Sequence, residues 1–379
     1  MTPGRSTGRR AIVAMSGGVD SSVVAALLKA EGHETIGVTL QLYDQGRTAS
    51  RPGACCAGAD IRDARRVAAM LDIPHYVLDY QERFRSSVME AFADSYLGGE
   101  TPVPCVLCNQ GVKFSDLLTT ARELGGDCLA TGHYVRRIEG HEGPELHCGA
   151  ETGRDQSYFL FRTTRHQLQD LRFPLGGMTK DEVRACARRF GLSVSAKPDS
   201  QDICFVPQGR YTDIVDRLRP GAMEAGTIVD LSGRVLGHHD GIAHYTVGQR
   251  RRLGIATGEP LFVVSLDPER RQVVVGPREA LESSSLTMKD VNWIGRGTLP
   301  RDGVACSVQL RSRQERLPAR VLPLGDDRAR VELARPAEAI APGQACVMYD
   351  GSRLLGGGWI ERGGGQSYVP QRASADSRP

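Results

Sequence analysis

Three short stretches of this chain hold side chains that could do chemistry. The first is Ser16-Gly17-Gly18-Val19-Asp20-Ser21, set between the apolar run Ile12–Met15 and an amphipathic stretch from Asp20 to Glu31. Glycines at such a junction let the backbone come close to phosphate oxygens. The free N–H groups of the helix's first turn favour negative charge in the same place. No Lys-Ser/Thr pair follows the glycines, so the loop is not of the Walker A type. The second stretch is Thr101-Pro102-Val103-Pro104-Cys105-Val106-Leu107-Cys108-Asn109, with Lys113-Phe114 just beyond it. The third is Lys197-Pro198-Asp199-Ser200-Gln201-Asp202-Ile203-Cys204-Phe205. Both put thiols in loops beside a nucleotide domain. A thiol near the start of the Lys113 helix, or near Lys197, is expected to have a lowered pKa and to act as nucleophile or sulfur carrier.

The elements that must position these groups follow from periodicity. Ile12–Met15 reads as a buried-type strand, and Thr35–Leu40, His75–Asp79 and Cys128–Thr131 as further strands. Helical periods near Asp20–Glu31, Asp60–Leu71, Phe84–Tyr96 and Lys113–Leu124 alternate with them, which predicts an α/β domain with a parallel sheet wrapped on both faces. Thr179-Lys180-Asp181-Glu182 opens a further helix with a capping box, Gly191 closes it, and Cys186 falls on its apolar face. From about Tyr211 the helical periods fade. Pro260–Leu266 with Gln272–Val275 reads as a hairpin. Cys306–Leu310, Ala319–Leu322, Ala329–Leu333 and Ala345–Tyr349 read as a second β set. The expected division is a nucleotide domain over 1–210, a small central β-rich domain over 211–283, a C-terminal β-barrel over 284–365 and a disordered tail over 366–379.

The bulk numbers limit the function classes. At 379 residues the chain calls for two or three domains. No apolar run approaches the ~20 residues of a membrane span. Met1–Arg10 lacks the apolar stretch of a secretory signal, so a cytoplasmic location with mostly reduced thiols is expected for the ten cysteines. A net charge of +3 does not argue for or against nucleic acid. Local basic clusters at Arg250–Arg252, Arg270-Arg271 and Arg311 to Arg316 are available to RNA.

The first loop resembles the PP-loop superfamily, whose members cleave ATP between the α and β phosphates and adenylate a substrate. The chain as a whole resembles one branch of it, the bacterial tRNA-specific 2-thiouridylases (the MnmA family), from about Ala11 to Glu361. The resemblance rests on Met15–Ser22, Cys108-Asn109 with Lys113-Phe114, Ala130–Tyr134, Asp155–Leu160, Ile203-Cys204-Phe205, Gly248-Gln249-Arg250, Ala341–Gln344 and Gly356-Gly357-Gly358. It implies ATP-dependent 2-thiolation of the wobble uridine of tRNA. Ala14, Met15, Ser16, Gly17, Gly18, Val19, Asp20, Ser21 and Gly132 would hold ATP, with the backbone of Leu40 near the adenine and Asp20 helping to place Mg²⁺. Cys204 would carry sulfur as a persulfide, and Cys108 would be its partner nucleophile. Val103, Pro104, Cys105, His133, Arg154, Asp155, Gln156, Arg311, Ser312 and Gln344 would meet the tRNA, whose bases must be splayed out to be read. The sulfur donor would be a cysteine desulfurase or a sulfur-relay protein.

The chain departs from the family pattern at four places. Leu40 replaces a common Met, Arg154 a common Lys, and Ser312 a common aromatic residue. Val103-Pro104-Cys105 stands where Asn-Pro-Asp is frequent, so an expected acid has become a thiol. Cys105, Cys108 and Cys204 together admit a [4Fe–4S] cluster with one open iron, a zinc site lacking its fourth ligand, or plain dithiol chemistry. The pair Cys55-Cys56 reads as loop or core. Two other functions share the phosphate loop: a sulfur-free adenylating ligase, which leaves Cys108 and Cys204 without work, and a non-catalytic RNA-binding protein, against which the intact loop argues.

Overall fold

The computed structural model describes residues 8–43, 57–199, 203–206, 210–256, 258–325 and 327–363. The expected tail over 366–379, the pair Cys55-Cys56 and the segment Ser200–Asp202 lie outside the described residues.

The first sheet is parallel throughout, in the order β3-β2-β1-β4-β7, from β1 (Arg10–Ala14), β2 (Glu34–Gln41), β3 (His75–Asp79), β4 (Cys128–Ala130) and β7 (Leu171–Arg172). Strands β1, β2 and β4 are largely buried, as a sheet covered on both faces requires, whereas the edge strand β3 is only partly covered. Helix α1 (Val19–Ala30) buries Val23, Val24 and Leu28 on one face of it together with α2 (Ala57–Met70) and α8 (Lys180–Arg189). The other face is covered by α6 (Leu117–Glu123) and α7 (Arg165–Asp170), through Leu117, Leu118 and Leu168. Helix α8 carries the expected capping box, with the Thr179 hydroxyl accepting from the Glu182 amide. Cys186 packs beside Val183 and Phe190 as expected.

Two features of this region differ from the sequence reading. Strands β5 (Val135–Gly140) and β6 (Gly143–Cys148) form an antiparallel hairpin inside the nucleotide domain. The charged run Arg136, Arg137, Glu139, His141, Glu142 hides its strand character, because the hairpin is only half buried. The second difference concerns the helices after β3. Helix α3 (Gln81–Phe84) runs through a π turn at Arg85–Met89 into α4 (Glu90–Leu97). Helix α5 (Pro104–Leu107) runs through a longer π stretch, Cys108–Asp116, into α6. π segments of this kind often mark functional positions.

After residue 210 the helical pattern does not vanish at once. Tyr211, Ile214, Val215 and Leu218 repeat at helical spacing and form α9 (Tyr211–Leu218) on the same apolar cluster as Phe92 and Tyr96 of α4. A four-stranded sheet follows in the order β10-β11-β8-β9, from β8 (Gly226–Val229), β9 (Val235–His239), β10 (Phe262–Asp267) and β11 (Gln272–Gly276). The last six strands close on themselves, since β12 (Glu282–Trp293) pairs with both β15 (Arg328–Glu338) and β17 (Arg353–Ile360). β14 (Leu317–Gly325), β13 (Val304–Gln309) and β16 (Ala345–Asp350) complete this antiparallel barrel. The β5–β6 hairpin joins its outside at Arg353↔His147. The triple glycine of β17 is a packing device. A Cβ on Gly356 would lie 2.0 Å from the Asn292 carbonyl oxygen, and one on Gly357 3.0 Å from the Phe161 ring.

Candidate active site

The phosphate loop is held open by its own residues. Gly17 has φ +75°, and a Cβ there would lie 2.1 Å from the backbone oxygen of Asp60, so only glycine fits. Gly18 is the N-cap of α1 and offers no side chain to cap it, and a Cβ there would meet nothing nearer than Ser16 Oγ at 3.7 Å. No side chain caps the first-turn N–H groups of α1. The Ser16 amide donates to Ser21 Oγ at 3.1 Å, and Ser22 Oγ donates to the Gly18 carbonyl at 2.8 Å, which fixes the turn. Gly132 approaches from the end of β4. A Cβ on it would sit 3.1 Å from the Ser21 amide and plug the helix end.

Two lysines that carried no role in the sequence reading of this loop flank it. Lys180 is buried, and its Nζ lies 2.7 Å from both Asp20 Oδ1 and Asp199 Oδ1. The Tyr134 hydroxyl donates to the same Asp20 oxygen at 2.7 Å. Burial pushes the Asp199 carboxyl up, but Lys180, Arg154 and Arg184 outweigh it and hold it below the ordinary carboxylate range. Lys197 donates to the Gly17 carbonyl at 2.9 Å and pairs with Asp60 and Asp63, each at 2.6 Å. Burial pulls Lys197 down, yet its hydrogen bonds to the two aspartates hold it above its ordinary value, charged. Spacing along the chain could not have found the contacts of Asp20 and Lys197, which span more than a hundred residues.

Leu40, at the end of β2, touches two clusters at once. It packs on the core around β1 and also on the aromatic cluster of Phe84, Phe92 and Phe205. Cys108 is buried in that second cluster, and Cys204 packs against it. The structure thus brings Cys108 and Cys204 into one apolar neighbourhood. Cys105 is solvent-accessible one turn before Cys108.

Two expectations about the thiols are corrected. Neither Cys105 nor Cys108 is acidified. The protein mass around Cys105 and the full burial of Cys108 push both thiols above the ordinary range, and Lys113 pulls them only part of the way back. Lys197 is engaged by its two aspartates and the Gly17 carbonyl. Among the described residues no three His, Cys, Asp or Glu side chains converge into a set that could hold a metal ion. The three-thiolate ligand set of Cys105, Cys108 and Cys204 is therefore not assembled. Cys108 turns into the core, whereas Cys105 opens to solvent.

The residues expected to face RNA divide into two groups. Arg311 and Ser312 are exposed on the turn after β13, although the Arg311 guanidinium also donates to the Ala339 carbonyl, and Cys105 is exposed at the start of α5, where Val103 and Pro104 are buried. The others have internal partners. Asp155 accepts from the Gly149 amide (2.9 Å), the Ser157 amide (3.1 Å) and Ser157 Oγ (2.7 Å). Gln156 Oε1 accepts from the Tyr134 amide, and Arg154 pairs with Asp199 at 2.8 Å. Gln344 Nε2 donates to the Thr101 carbonyl, where the barrel docks on the nucleotide domain. His133 is stacked edge-on to Phe114 and Phe173. Burial, with Lys113 nearby, depresses its pKa to about 3, so the ring is neutral.

Known proteins carry the same three parts. A family model described as a tRNA methyl transferase HUP domain matches residues 9–208, a tRNA methyl transferase PRC-barrel domain matches 215–277, and an aminomethyltransferase beta-barrel domain matches 283–360. The tRNA-specific 2-thiouridylase MnmA of Parvibaculum lavamentivorans is 58% identical over 98% of this chain and 96% of its own length. The protein of that name from Nitrobacter winogradskyi is 62% identical over 95% and 92%, and that from Rhodospirillum centenum 61% over 93% and 92%. No helix among the described residues is long and apolar enough to cross a membrane.

Proposed function

We propose that this chain, which belongs to the tRNA-specific 2-thiouridylase family, is a sulfurtransferase that replaces the C2 oxygen of the tRNA wobble uridine with sulfur at the expense of ATP. The observation that carries the proposal is the position of Leu40. Just before it, Val38 and Thr39 hydrogen-bond Met15, the residue that leads into the phosphate loop, and Leu40 itself packs on the cluster that holds Cys108 and Cys204, which supports an anion cradle and two thiols serving one site.

In this reading the uridine C2 oxygen attacks the α-phosphorus of ATP and pyrophosphate leaves. The oxygen then departs as part of AMP when the outer sulfur of a Cys204 persulfide attacks C2. The Cys108 thiolate attacks Cys204 Sγ and breaks the sulfur–sulfur bond, which leaves the new sulfur on the base and a Cys108–Cys204 disulfide. An external thiol reductant reopens that disulfide. A cysteine desulfurase or a sulfur-relay protein reloads Cys204.

The chain's own groups divide the work. The amides of Gly17 to Ser21 receive the phosphates at the start of α1. Lys197 holds the Gly17 carbonyl, and with it the shape of the loop. Asp20 is the loop carboxylate that would hold Mg²⁺, which supplies charge neutralisation of the phosphates when bound; the partners Tyr134 and Lys180 fix its orientation. The raised pKa of Cys108 keeps it protonated and unreactive until base and persulfide are in place.

The test is tRNA-dependent formation of AMP and pyrophosphate by the purified protein, with 2-thiouridine detected by mass spectrometry of the digested tRNA. Asp20→Ala should abolish both products while tRNA still binds. ATP turnover that survives this change, or product without ATP, sinks the reading.

A further inference from the structure

One segment, residues 148–157, touches both the barrel and the partners of Asp20. On the nucleotide side, Glu151 Oε2 accepts from the Lys180 amide at 2.7 Å. Arg154 holds Asp199, and Gln156 holds the backbone of Tyr134. Lys180, Asp199 and Tyr134 are the groups that set the Asp20 carboxylate. On the barrel side the contact is Arg316. Its guanidinium lies over the Tyr349 ring, 3.5 Å from the centroid. Nη1 donates to the Gly351 carbonyl at 2.9 Å, and Nη2 donates to Cys148 Sγ at 2.9 Å. The same Nη2 faces Asp155 Oδ2 at 3.7 Å, and Ser157 Oγ reaches the Tyr349 hydroxyl at 3.1 Å.

The sequence position of Arg316 gives these contacts a meaning. It ends the turn between β13 and β14 whose other end carries the exposed Arg311, Ser312 and Arg313. Phosphate bound at those arginines acts on the same short turn that holds Arg316. Arg316 is mostly covered by protein, whereas Arg311, Ser312 and Arg313 face solvent. Asp155 is already satisfied by three donors, and at 3.7 Å the Arg316 pair is longer than a hydrogen bond. Barrel and segment are thus held in register by the Arg316–Cys148, Cys148–Ser352 and Ser157–Tyr349 hydrogen bonds and by the longer Arg316–Asp155 ion pair. A planar guanidinium can serve a ring, a carbonyl, a sulfur and a carboxylate together, which an ammonium cannot.

We propose that Arg316 is a positioning residue that couples RNA seated on the barrel turn to the Asp20 carboxylate through residues 148–157. The proposal rests on the adenylation function argued above. It makes pyrophosphate release depend on tRNA docking as well as on the presence of a uridine.

The test uses full-length Arg316→Gln and Arg316→Lys. Three quantities are read: tRNA affinity by filter binding, kcat and KM for tRNA in pyrophosphate release, and hydrogen exchange of the Gly149 and Ser157 amides with and without tRNA. In Arg316→Gln, kcat should fall about tenfold while tRNA affinity and KM stay within about twofold. Arg316→Lys should recover part of the loss. In the wild type, tRNA should slow exchange at both amides, and Arg316→Gln should lose that response. An unchanged kcat, or a loss explained wholly by weaker tRNA binding, overturns the coupling. If the wild type releases no pyrophosphate with tRNA, adenylation itself fails. The exchange arm still decides the coupling, since an equal tRNA response in wild type and variant overturns it.

Discussion

Lys180 Nζ sits 2.7 Å from Asp20 Oδ1, so the carboxylate of the phosphate loop is tied to the first residue of a helix 160 positions later in the chain. Lys180 also bonds Asp199, and only 7% of its side-chain surface is exposed. The pairing orients Asp20 and neutralises charge where polyphosphate arrives.

Lys180→Met should therefore damage both stability and activity. Removing one member of a largely buried charge network leaves unpaired carboxylates and typically costs about 3 kcal/mol or more. Thermal unfolding should show a clear drop in Tm, and ATP turnover should fall by about a hundredfold. A variant with unchanged Tm and turnover would show that the network does not matter.

Gly17 and Gly18 should respond in opposite ways to the same added methyl group. Gly17→Ala collides with the Asp60 carbonyl at a left-handed backbone position and should destabilise the domain by about 2 kcal/mol. Gly18→Ala has room and an extended backbone, so it should fold as well as the wild type. If it loses ATP affinity while keeping its Tm, the open space at Gly18 is where phosphate approaches. Urea unfolding and nucleotide titration of the two variants read this out.

His133, packed between Phe114 and Phe173, predicts an acid-labile element. Its folded pKa, about 3, is far below the ordinary imidazole value, because burial and Lys113 disfavour the charged ring. The unfolded state then takes up the proton first. Stability from this group is complete above about pH 6.5 and is lost as pH falls toward the folded value. The urea midpoint should drop between about pH 7 and pH 5, and His133→Asn should show a smaller drop. Parallel pH curves for the two proteins would remove His133 from the account.

The two thiols of α5 and the π stretch should react slowly at neutral pH. Both are pushed above the usual thiol range, and Lys113 opposes the shift. Lys113→Met should slow iodoacetamide labelling of Cys105 near neutral pH, roughly tenfold for each unit of further rise. Cys108, buried in the apolar cluster, should label more slowly than Cys105 in both proteins. Faster labelling in Lys113→Met would reverse the electrostatic picture.

Arg311 and Gln344 should separate an RNA contact from a docking contact. Arg311 is exposed, and if it binds one phosphate, Arg311→Ala should make the salt slope of tRNA binding shallower by about 0.9. Gln344 donates to the Thr101 carbonyl, so Gln344→Ala should loosen the barrel against the nucleotide domain and leave that slope unchanged. Equal slopes in wild type and Arg311→Ala would remove the phosphate contact.

Local information in the sequence was enough for a good part of this molecule. The apolar runs around β1 to β4, the glycine junction before α1 and the capping box at Thr179 each depend on neighbours within a few residues, so they can be read without the fold. The quoted motifs also pointed to the family to which the chain belongs. What spacing could not reveal is contact between distant segments. The short polar hairpin β5–β6, the strand of three glycines in β17 and the stripe of α9 are stabilised by what they pack against, and their own propensities are weak. Tertiary structure likewise decided which charged groups serve the cradle: Lys180 and Lys197 reach Asp20 and Gly17 only because α8 and the segment after it pack beside α1. It also decided two of the thiols, since the sequence places Cys105 and Cys108 in a loop near the basic Lys113, while burial sets their acidity. Desolvation is a property of everything that surrounds a group, and a linear sequence does not carry it.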